Sequence, residues 1–368
     1  MRRLVIKLGT STVTAVGGEP SPILTAYAAI CATLQEAGWS PVIVTSGAVG
    51  AGRGPLGLTG KKLSLVEKQA AAAVGQSRLM ETYRQHFDGV GLTVAQVLLS
   101  REDISERGRC NNARQALEFL LKAGVVPLIN ENDTVATAEL KFGDNDLLSA
   151  LVANLIGAER LIIMTDTGGL YTADPRLDPT ATLITEVALI TPELLGMAGE
   201  SRSGVGTGGM ASKLMAARIA SEGGVRVAIT HGQQPEQIMD LVAGAPIGTT
   251  VLPAPSRRDS RKSWIAYGVV PSGRVVVDDG AMKAMLSDGR SLLPVGIRRV
   301  DGEFDAGEVV QICRADGTEI GRGVVALDAT DLQRVIGCTT PEVRRRLGGE
   351  APAEAIHRDD LTMTAVEV

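Results

Sequence analysis

Short apolar runs alternate with longer segments of helical periodicity up to about residue 252, and this alternation constrains the fold more than any other feature of the chain. The apolar runs are four to six residues long, which suits strands that are buried on both faces. Strands that alternate with helices form βαβ units, so we predict an α/β fold with a mainly parallel open sheet in three αβα layers. The predicted helices are residues 23–37, 63–87, 113–123, 145–156 and 211–223.

The composition changes after residue 252. Residues 253–264 are rich in proline and charge, which indicates a linker. Short β-type runs separated by Asp-Gly pairs follow at residues 274–277, 295–300, 309–313 and 323–327. At 368 residues the chain is long enough for about two domains, so we predict one over residues 1–252 and a small, mainly β barrel over residues 265–352, with a tail at 353–368.

Charge and cysteine usage exclude several classes of protein. The net charge of −5 argues against general polyanion binding. The four cysteines lie far apart and form no C-x-x-C pair, so neither a zinc site nor a disulfide framework is indicated. The chain begins with an apolar strand pattern rather than a leader, and it contains no run of ~20 apolar residues. We therefore expect a soluble, cytoplasmic protein without membrane contact.

A glycine-rich turn before the helix at residues 211–223 is a candidate phosphate site. Backbone N–H groups at a helix N-terminus attract anions, glycine permits their close approach, and Lys213 adds a full charge. Residues 204–209 also match the dinucleotide pattern G-x-G-x-x-G, but we reject that interpretation because no strand-like segment precedes them. The alternative is a helix-capping turn with a solvated lysine. The turn and the first residues of the helix are Thr207, Gly208, Gly209, Met210, Ala211, Ser212 and Lys213.

Four predicted strands end in glycine, hydroxyl, amide or acidic residues. Any one of them could be an ordinary strand-end turn. Four at matching ends favour a common site, because open α/β sheets bind ligands beyond the carboxyl ends of their strands. The four segments are Lys7-Leu-Gly9, Thr45-Ser46-Gly47, Asn130-Glu-Asn-Asp133 and Thr165-Asp166.

These motifs resemble, from end to end, the bacterial glutamate 5-kinase family, in which an amino acid kinase domain precedes a PUA domain. The resemblance also rests on four longer segments: Lys7-Leu-Gly-Thr-Ser11, Lys141-Phe-Gly-Asp-Asn-Asp146, Gly169-Leu-Tyr-Thr-Ala-Asp-Pro-Arg176 and Gly206-Thr-Gly-Gly-Met210. The resemblance implies phosphorylation of the L-glutamate side chain by ATP with Mg²⁺, the first step towards proline. Because a carboxylate with a pKa of about 4.3 is already ionised at neutral pH, this reaction needs positive charge and alignment rather than a general base. The three histidines can therefore be structural.

The resemblance also implies a role for each site residue. Lys7 and Lys213 would act on the transferring and leaving phosphoryl oxygens, and Asp146 would orient both lysines. Ser46, Asp133 and Asn145 would bind glutamate. Backbone N–H groups of Gly9, Gly47 and Gly208 would complete the phosphate cradle, and Mg²⁺ would be held by the nucleotide without a protein ligand. The implied ATP-binding residues are Lys7, Gly9, Thr165, Asp166, Thr207, Gly208, Gly209, Met210, Ala211, Ser212 and Lys213.

Other functions remain open at this point. Related kinases that act on N-acetylglutamate, aspartate or UMP share the phosphate motifs, and a sensor could be built on the same fold. An RNA-binding protein is disfavoured, because residues 271–350 hold 11 basic and 13 acidic side chains. The one dense basic run, Arg344-Arg345-Arg346, suits a solvated helix face. The resemblance further implies feedback inhibition by proline and a dimer or tetramer.

Overall fold

The computed structural model describes residues 1–14, 21–100, 103–104, 106–135, 145–197, 209–254, 262, 265–266, 271–349 and 351–363. The chain divides into two units, Met1–Arg257 and Arg258–Val368. Near the end of the first unit, the Ala254 N–H donates to the Ser221 carbonyl oxygen (2.9 Å).

The first unit is built on an eight-stranded sheet in the order β3-β4-β2-β1-β5-β9-β10-β8. All neighbouring strands are parallel except β9 and β10, so the predicted mainly parallel sheet is confirmed. The strands β6 and β7 form a separate antiparallel pair. The strands are β1 (Arg2–Leu8), β2 (Trp39–Thr45), β3 (Val94–Leu99), β4 (Val126–Glu131), β5 (Arg160–Thr165), β6 (Leu170–Tyr171), β7 (Leu183–Ile184), β8 (Glu186–Val187), β9 (Arg226–His231) and β10 (Thr249–Val251).

All five predicted helical segments lie on helices of this unit, which also contains shorter helices that the periodicity did not predict. The longest is opened by a capping box, in which Ser64 accepts from the Glu67 N–H while the Glu67 carboxylate accepts from the Ser64 N–H. The helices are α1 (Thr10–Val13), α2 (Leu24–Glu36), α3 (Ala48–Arg53), α4 (Leu65–Asp88), α5 (Arg107–Lys122), α6 (Asn145–Leu155), α7 (Pro192–Met197), α8 (Met210–Glu222) and α9 (Gln237–Ala243).

The helices α3 and α4 pack backbone against backbone through two glycines. A Cβ atom at Gly52 would overlap the carbonyl group of Ala71. A Cβ atom at Gly75 would likewise overlap the carbonyl oxygen of Ala48. Because α3 begins directly after the turn at the end of β2, this close contact fixes α4 against that edge of the sheet.

Parallel pairing brings the carboxyl ends of four strands to one edge. In β1, Lys7 lies in register with Val44 of β2 and with Ile163 of β5. Farther along the edge, Thr165 of β5 lies in register with His231 of β9. The core beneath this edge is mainly aliphatic, and its aromatic side chains are Tyr27, Trp39, Tyr83 and Phe87. The sheet therefore presents the segments after β1, β2, β4 and β5 side by side.

The second unit contains a five-stranded sheet in the order β12-β11-β13-β14-β15, and its two edge strands do not pair within the described ranges. This strand-rich unit agrees with the small, mainly β domain that the sequence predicts, and closure into a barrel is not seen among the described strands. The tail predicted from residue 353 contributes the strand Leu361–Met363, which pairs with Glu319–Val324. The elements are β11 (Gly273–Val277), α10 (Asp279–Asp288), β12 (Ile297–Gly302), β13 (Val309–Cys313), β14 (Glu319–Val324), α11 (Ala329–Arg334), α12 (Thr340–Leu347) and β15 (Leu361–Met363). Across the described chain, no helix is both long enough and apolar enough to cross a bilayer.

Candidate active site

Two buried lysines share one buried carboxylate. The Lys7 Nζ lies 2.6 Å from Asp146 Oδ1, and the Lys213 Nζ lies 3.1 Å from Asp146 Oδ2. Asp146 is fully buried, while Lys7 and Lys213 are 3% and 7% exposed. The three residues come from β1, the first turn of α6 and the first turn of α8. Two cations on one anion leave a net positive charge, which suits the binding of an anionic ligand.

The N-terminus of α8 is tied to the same carboxylate. Gly209 is the N-cap of this helix, and its carbonyl oxygen accepts from the Ser212 hydroxyl at 2.9 Å. The Ser212 hydroxyl also lies 3.0 Å from Asp146 Oδ2. Met210 and Ala211 occupy the half-buried first turn. The predicted ATP-binding residues Thr207 and Gly208 lie outside the described residues.

A glycine lies in the turn after β1, and another lies in the turn after β2. Gly9 is the N-cap of α1, and a Cβ atom there would lie 3.9 Å from the Lys7 Nζ. Gly47 is the N-cap of α3 and adopts a φ of 110°, a left-handed conformation that favours glycine. The two turns are joined directly, because the Ser46 N–H donates to the Leu8 carbonyl oxygen at 3.1 Å.

Asn145 joins the ends of three segments next to Asp146. Its Nδ2 donates to the Thr45 carbonyl oxygen (2.7 Å), to the Ser46 Oγ (3.0 Å) and to the Asn130 Oδ1 (2.9 Å). The structure therefore brings two of the predicted glutamate residues, Ser46 and Asn145, into direct contact. Because Asn145 and Asp146 are consecutive, this polar cluster borders the lysine pair.

The remaining predicted site residues follow β4 and β5 at the same edge of the sheet. Asp133 is half-buried in the turn after β4. Thr165 ends β5, and its hydroxyl donates to the exposed Asp166 carboxylate at 3.0 Å. The Thr165 carbonyl oxygen accepts from the Gly232 N–H at 2.7 Å, which links this end of β5 to the turn after β9.

Asn130 and Gln76 also belong to this polar cluster, although neither was given a specific role above. The Asn130 Nδ2 donates to the Gln76 Oε1 on α4 at 2.9 Å. On the same helix, Tyr83 shares a 2.8 Å hydrogen bond with the hydroxyl of Thr45, and burial raises the pKa of Tyr83, so the phenol stays neutral. Asn130 belongs to a motif that the sequence shows, but Gln76 lies on a helix with no local signal of function.

The histidine rings have local partners. The Nδ1 of His86 lies 3.0 Å from the Thr25 hydroxyl, and those of His231 and His357 accept backbone N–H groups two residues on. Within the described ranges, no group of three or more His, Cys, Asp or Glu side chains is arranged to hold a metal ion.

The chain is similar to known proteins along nearly its whole length. The model of the amino acid kinase family matches residues 2–231, and that of the PUA domain matches residues 273–347. A glutamate 5-kinase of Geobacter sulfurreducens is 47% identical over 364 residues, which cover 99% of this chain and 98% of that protein. A glutamate 5-kinase of Synechococcus sp. (strain JA-3-3Ab) is 46% identical over 362 residues, 98% of each chain.

Proposed function

Because the chain belongs to the amino acid kinase family, we propose that it transfers the γ-phosphoryl group of ATP to the side-chain carboxylate of L-glutamate. The products are L-glutamyl 5-phosphate and ADP, and the reaction is the first step towards proline. The observation that carries this proposal is the Lys7–Asp146–Lys213 cluster beside the amide of Asn145.

Positive charge is the main requirement of this reaction. An anionic carboxylate must approach an anionic phosphoryl group, and the site must offset their repulsion. Lys7 would contact the transferring phosphoryl group, and Lys213 the leaving oxygen. Asp146 would hold both ammonium groups in place, because its two oxygens already contact one lysine each. Backbone N–H groups at Gly9 and Gly47 would add donors to the cradle.

Glutamate also carries an ammonium group and a second carboxylate, which need their own partners. The Asp133 carboxylate and the Asn145 Oδ1 would accept hydrogen bonds from the ammonium group. The Ser46 hydroxyl would contribute a further polar contact. The fit is supported by the Asn145 Oδ1, which is buried and has no hydrogen-bond partner in the described part of the chain.

Mg²⁺ would neutralise charge on the nucleotide phosphates when bound. Both oxygens of Asp146 lie against lysines, so this carboxylate is poorly suited to ligate a metal. The residues therefore fit a Mg²⁺ that is held mainly by the phosphates and by water. Thr165 and Asp166 would lie on the nucleoside side.

A coupled ADP-release assay with glutamate, N-acetylglutamate, aspartate and UMP tests the proposal. We expect ADP release with glutamate and with none of the other three acceptors. Turnover with another acceptor instead would assign the chain to a different kinase of the same family. A protein that binds glutamate but releases no ADP would be a sensor.

Three further properties remain predictions. Proline is expected to inhibit the reaction, which a proline titration in the same assay measures. A dimer or tetramer is expected by sedimentation. A cytoplasmic location is expected from fractionation of cells.

A further inference from the structure

The side-chain amides of Gln76, Asn130 and Asn145 form a chain whose orientation is fixed by the backbone. The Glu131 N–H donates to the Asn130 Oδ1 at 2.9 Å, so this atom must be the amide oxygen. The Asn130 Nδ2 is therefore the donor that faces Gln76, whose Oε1 must accept. At the other end, the Thr45 carbonyl oxygen can only accept, so the Asn145 Nδ2 must point towards it.

In this orientation, one donor atom and one acceptor atom of the amide chain are not used by the hydrogen bonds described above. The Gln76 Nε2 and the Asn145 Oδ1 are both buried, and neither has a hydrogen-bond partner within the described ranges. Unpaired buried polar atoms cost free energy and are uncommon in folded proteins. One such atom of each kind on a single amide chain indicates a ligand that offers both an acceptor and a donor.

The position of Gln76 is set by the packing of its helix. The neighbouring Gly75 lets α4 contact the carbonyl oxygen of Ala48 in α3, directly after Ser46 and Gly47. Two turns farther along α4, Tyr83 is hydrogen-bonded to Thr45 at the end of β2. The same face of α4 is thereby held against the strand end that bears Ser46.

We propose that Gln76 is a further substrate-binding residue, which donates from its Nε2 to the α-carboxylate of the amino acid whose ammonium group binds at Asn145. The proposal rests on the glutamate kinase activity proposed above and extends it to substrate selection. An α-amino acid carries its carboxylate and ammonium group on one carbon, which matches a donor and an acceptor presented by one amide chain. The γ-carboxylate is then left for the lysine cluster.

Two substitutions separate this role from mere support of Asn130. Gln76→Glu retains an oxygen that accepts from Asn130 but removes the Nε2 donor. Gln76→Met removes the donor without adding charge. We expect both variants to bind glutamate about 10- to 100-fold more weakly, the size of a lost hydrogen bond to a charged group. Gln85→Met, an exposed change on the same helix, is the matched control and should bind like the wild type.

Two glutamate analogues show which group of the substrate Gln76 contacts. Glutarate retains both carboxylates and lacks the ammonium group, whereas 4-aminobutyrate lacks the α-carboxylate. The Gln76 variants should lose affinity for glutarate as they do for glutamate, while 4-aminobutyrate should bind no more than about twofold more weakly than to the wild type. Calorimetric titration of the full-length protein measures binding directly, so a failure of the kinase proposal would appear separately, as absent ADP release by the wild type.

Either of two results would overturn the inference. Wild-type glutamate affinity in Gln76→Glu would mean that only the acceptor matters and that Gln76 merely supports Asn130. Equal losses for all three ligands in Gln76→Met would indicate a general distortion of the site. Thermal unfolding of each variant identifies a folding defect, and the near-isosteric Gln76→Glu decides the question if Gln76→Met is unstable.

Discussion

Lys7 and Lys213 contact the same carboxylate of Asp146, although one lies in β1 and the other in α8. If Lys213 stabilises the leaving oxygen of ATP as its bond loosens, Lys213→Ala should lower kcat by about 10²-fold or more. The fold should survive, because Lys7 still pairs with Asp146 at 2.6 Å. Steady-state ADP release measures the effect, and the exposed Lys122→Ala provides the control. A wild-type kcat in Lys213→Ala would refute the role.

Asp133 is expected to act on substrate affinity rather than on the chemical step. Replacing it with alanine removes the proposed partner of the glutamate ammonium group, so the KM for glutamate should rise by one to two orders of magnitude, roughly the value of a charge-assisted hydrogen bond. The KM for ATP should change little. Asp88→Ala, which removes an exposed carboxylate paired with Arg84, is the comparison. Equal losses for both substrates would indicate that Asp133 only shapes its turn.

The sequence predicted which residues gather at the edge, but not all of their partners. Lys7, Ser46, Asn145, Asp146 and Lys213 each belong to a local motif, so pattern and resemblance could find them. Gln76 belongs to none, since its contact with Asn130 spans 54 residues and depends on how α4 packs. Thr207 and Gly208 lie outside the described residues. The roles of all the site residues stay predictions.

At the scale of elements, the contact between α3 and α4 should tolerate no side chain. A methyl group at Gly75 would meet the backbone of Ala48 and Gly52, so Gly75→Ala should destabilise the protein by about 1–3 kcal/mol through overpacking. It should also weaken glutamate binding, because Gln76 and Ser46 flank the contact. Gly54→Ala, where a Cβ would meet nothing within 4 Å, should be neutral in the same denaturant titration. Equal stability of both variants would show that the helices can separate at no cost.

In the second unit, the spacing of apolar residues predicts the helices and strand boundaries less well than in the first. The strand predicted at 323–327 is shifted relative to Glu319–Val324, since small residues in this stretch blur the apolar boundary. The helices Asp279–Asp288 and Ala329–Arg334 were not predicted, the first because its Asp-Gly pair is typical of a turn. Its N-cap Asp278 accepts from the Ala281 N–H at 2.8 Å, a signal that is visible in sequence only once a helix is suspected. Arg344, Arg345 and Arg346 do lie exposed on a helix, as expected.

At the scale of the whole molecule, the proposed chemistry lies entirely in the first unit. Every assigned residue falls between Lys7 and Lys213, while the first unit continues to Arg257. A protein truncated after Arg257 should therefore fold and release ADP with glutamate, with changes confined to assembly, Mg²⁺ dependence or the response to proline. Circular dichroism establishes the fold and the coupled assay the activity. A folded but inactive truncation would mean that the PUA domain shapes the active site.

The overall architecture was the most predictable level. The apolar residues of helices and of strands recur with different periods, and the two patterns alternate many times over about 250 residues. The fold class can therefore be predicted even where single boundaries are misplaced. The sequence cannot show whether the second sheet closes, because a barrel and an open sheet share the same strand pattern. Only the pairing of edge strands distinguishes them.

The carboxylate between the two lysines also ties function to the order in which the chain folds. Its contact with Lys213 spans 67 residues, and the neighbouring bond from Asn145 to Thr45 spans 100. Contacts of such long range close large loops, whose entropy must be overcome before the contacts form, so they belong to the late phases of folding. Recovery of enzyme activity after dilution from denaturant should then follow the slowest refolding phase, well after helical signal returns. Catalysis would thus report the completion of the native topology.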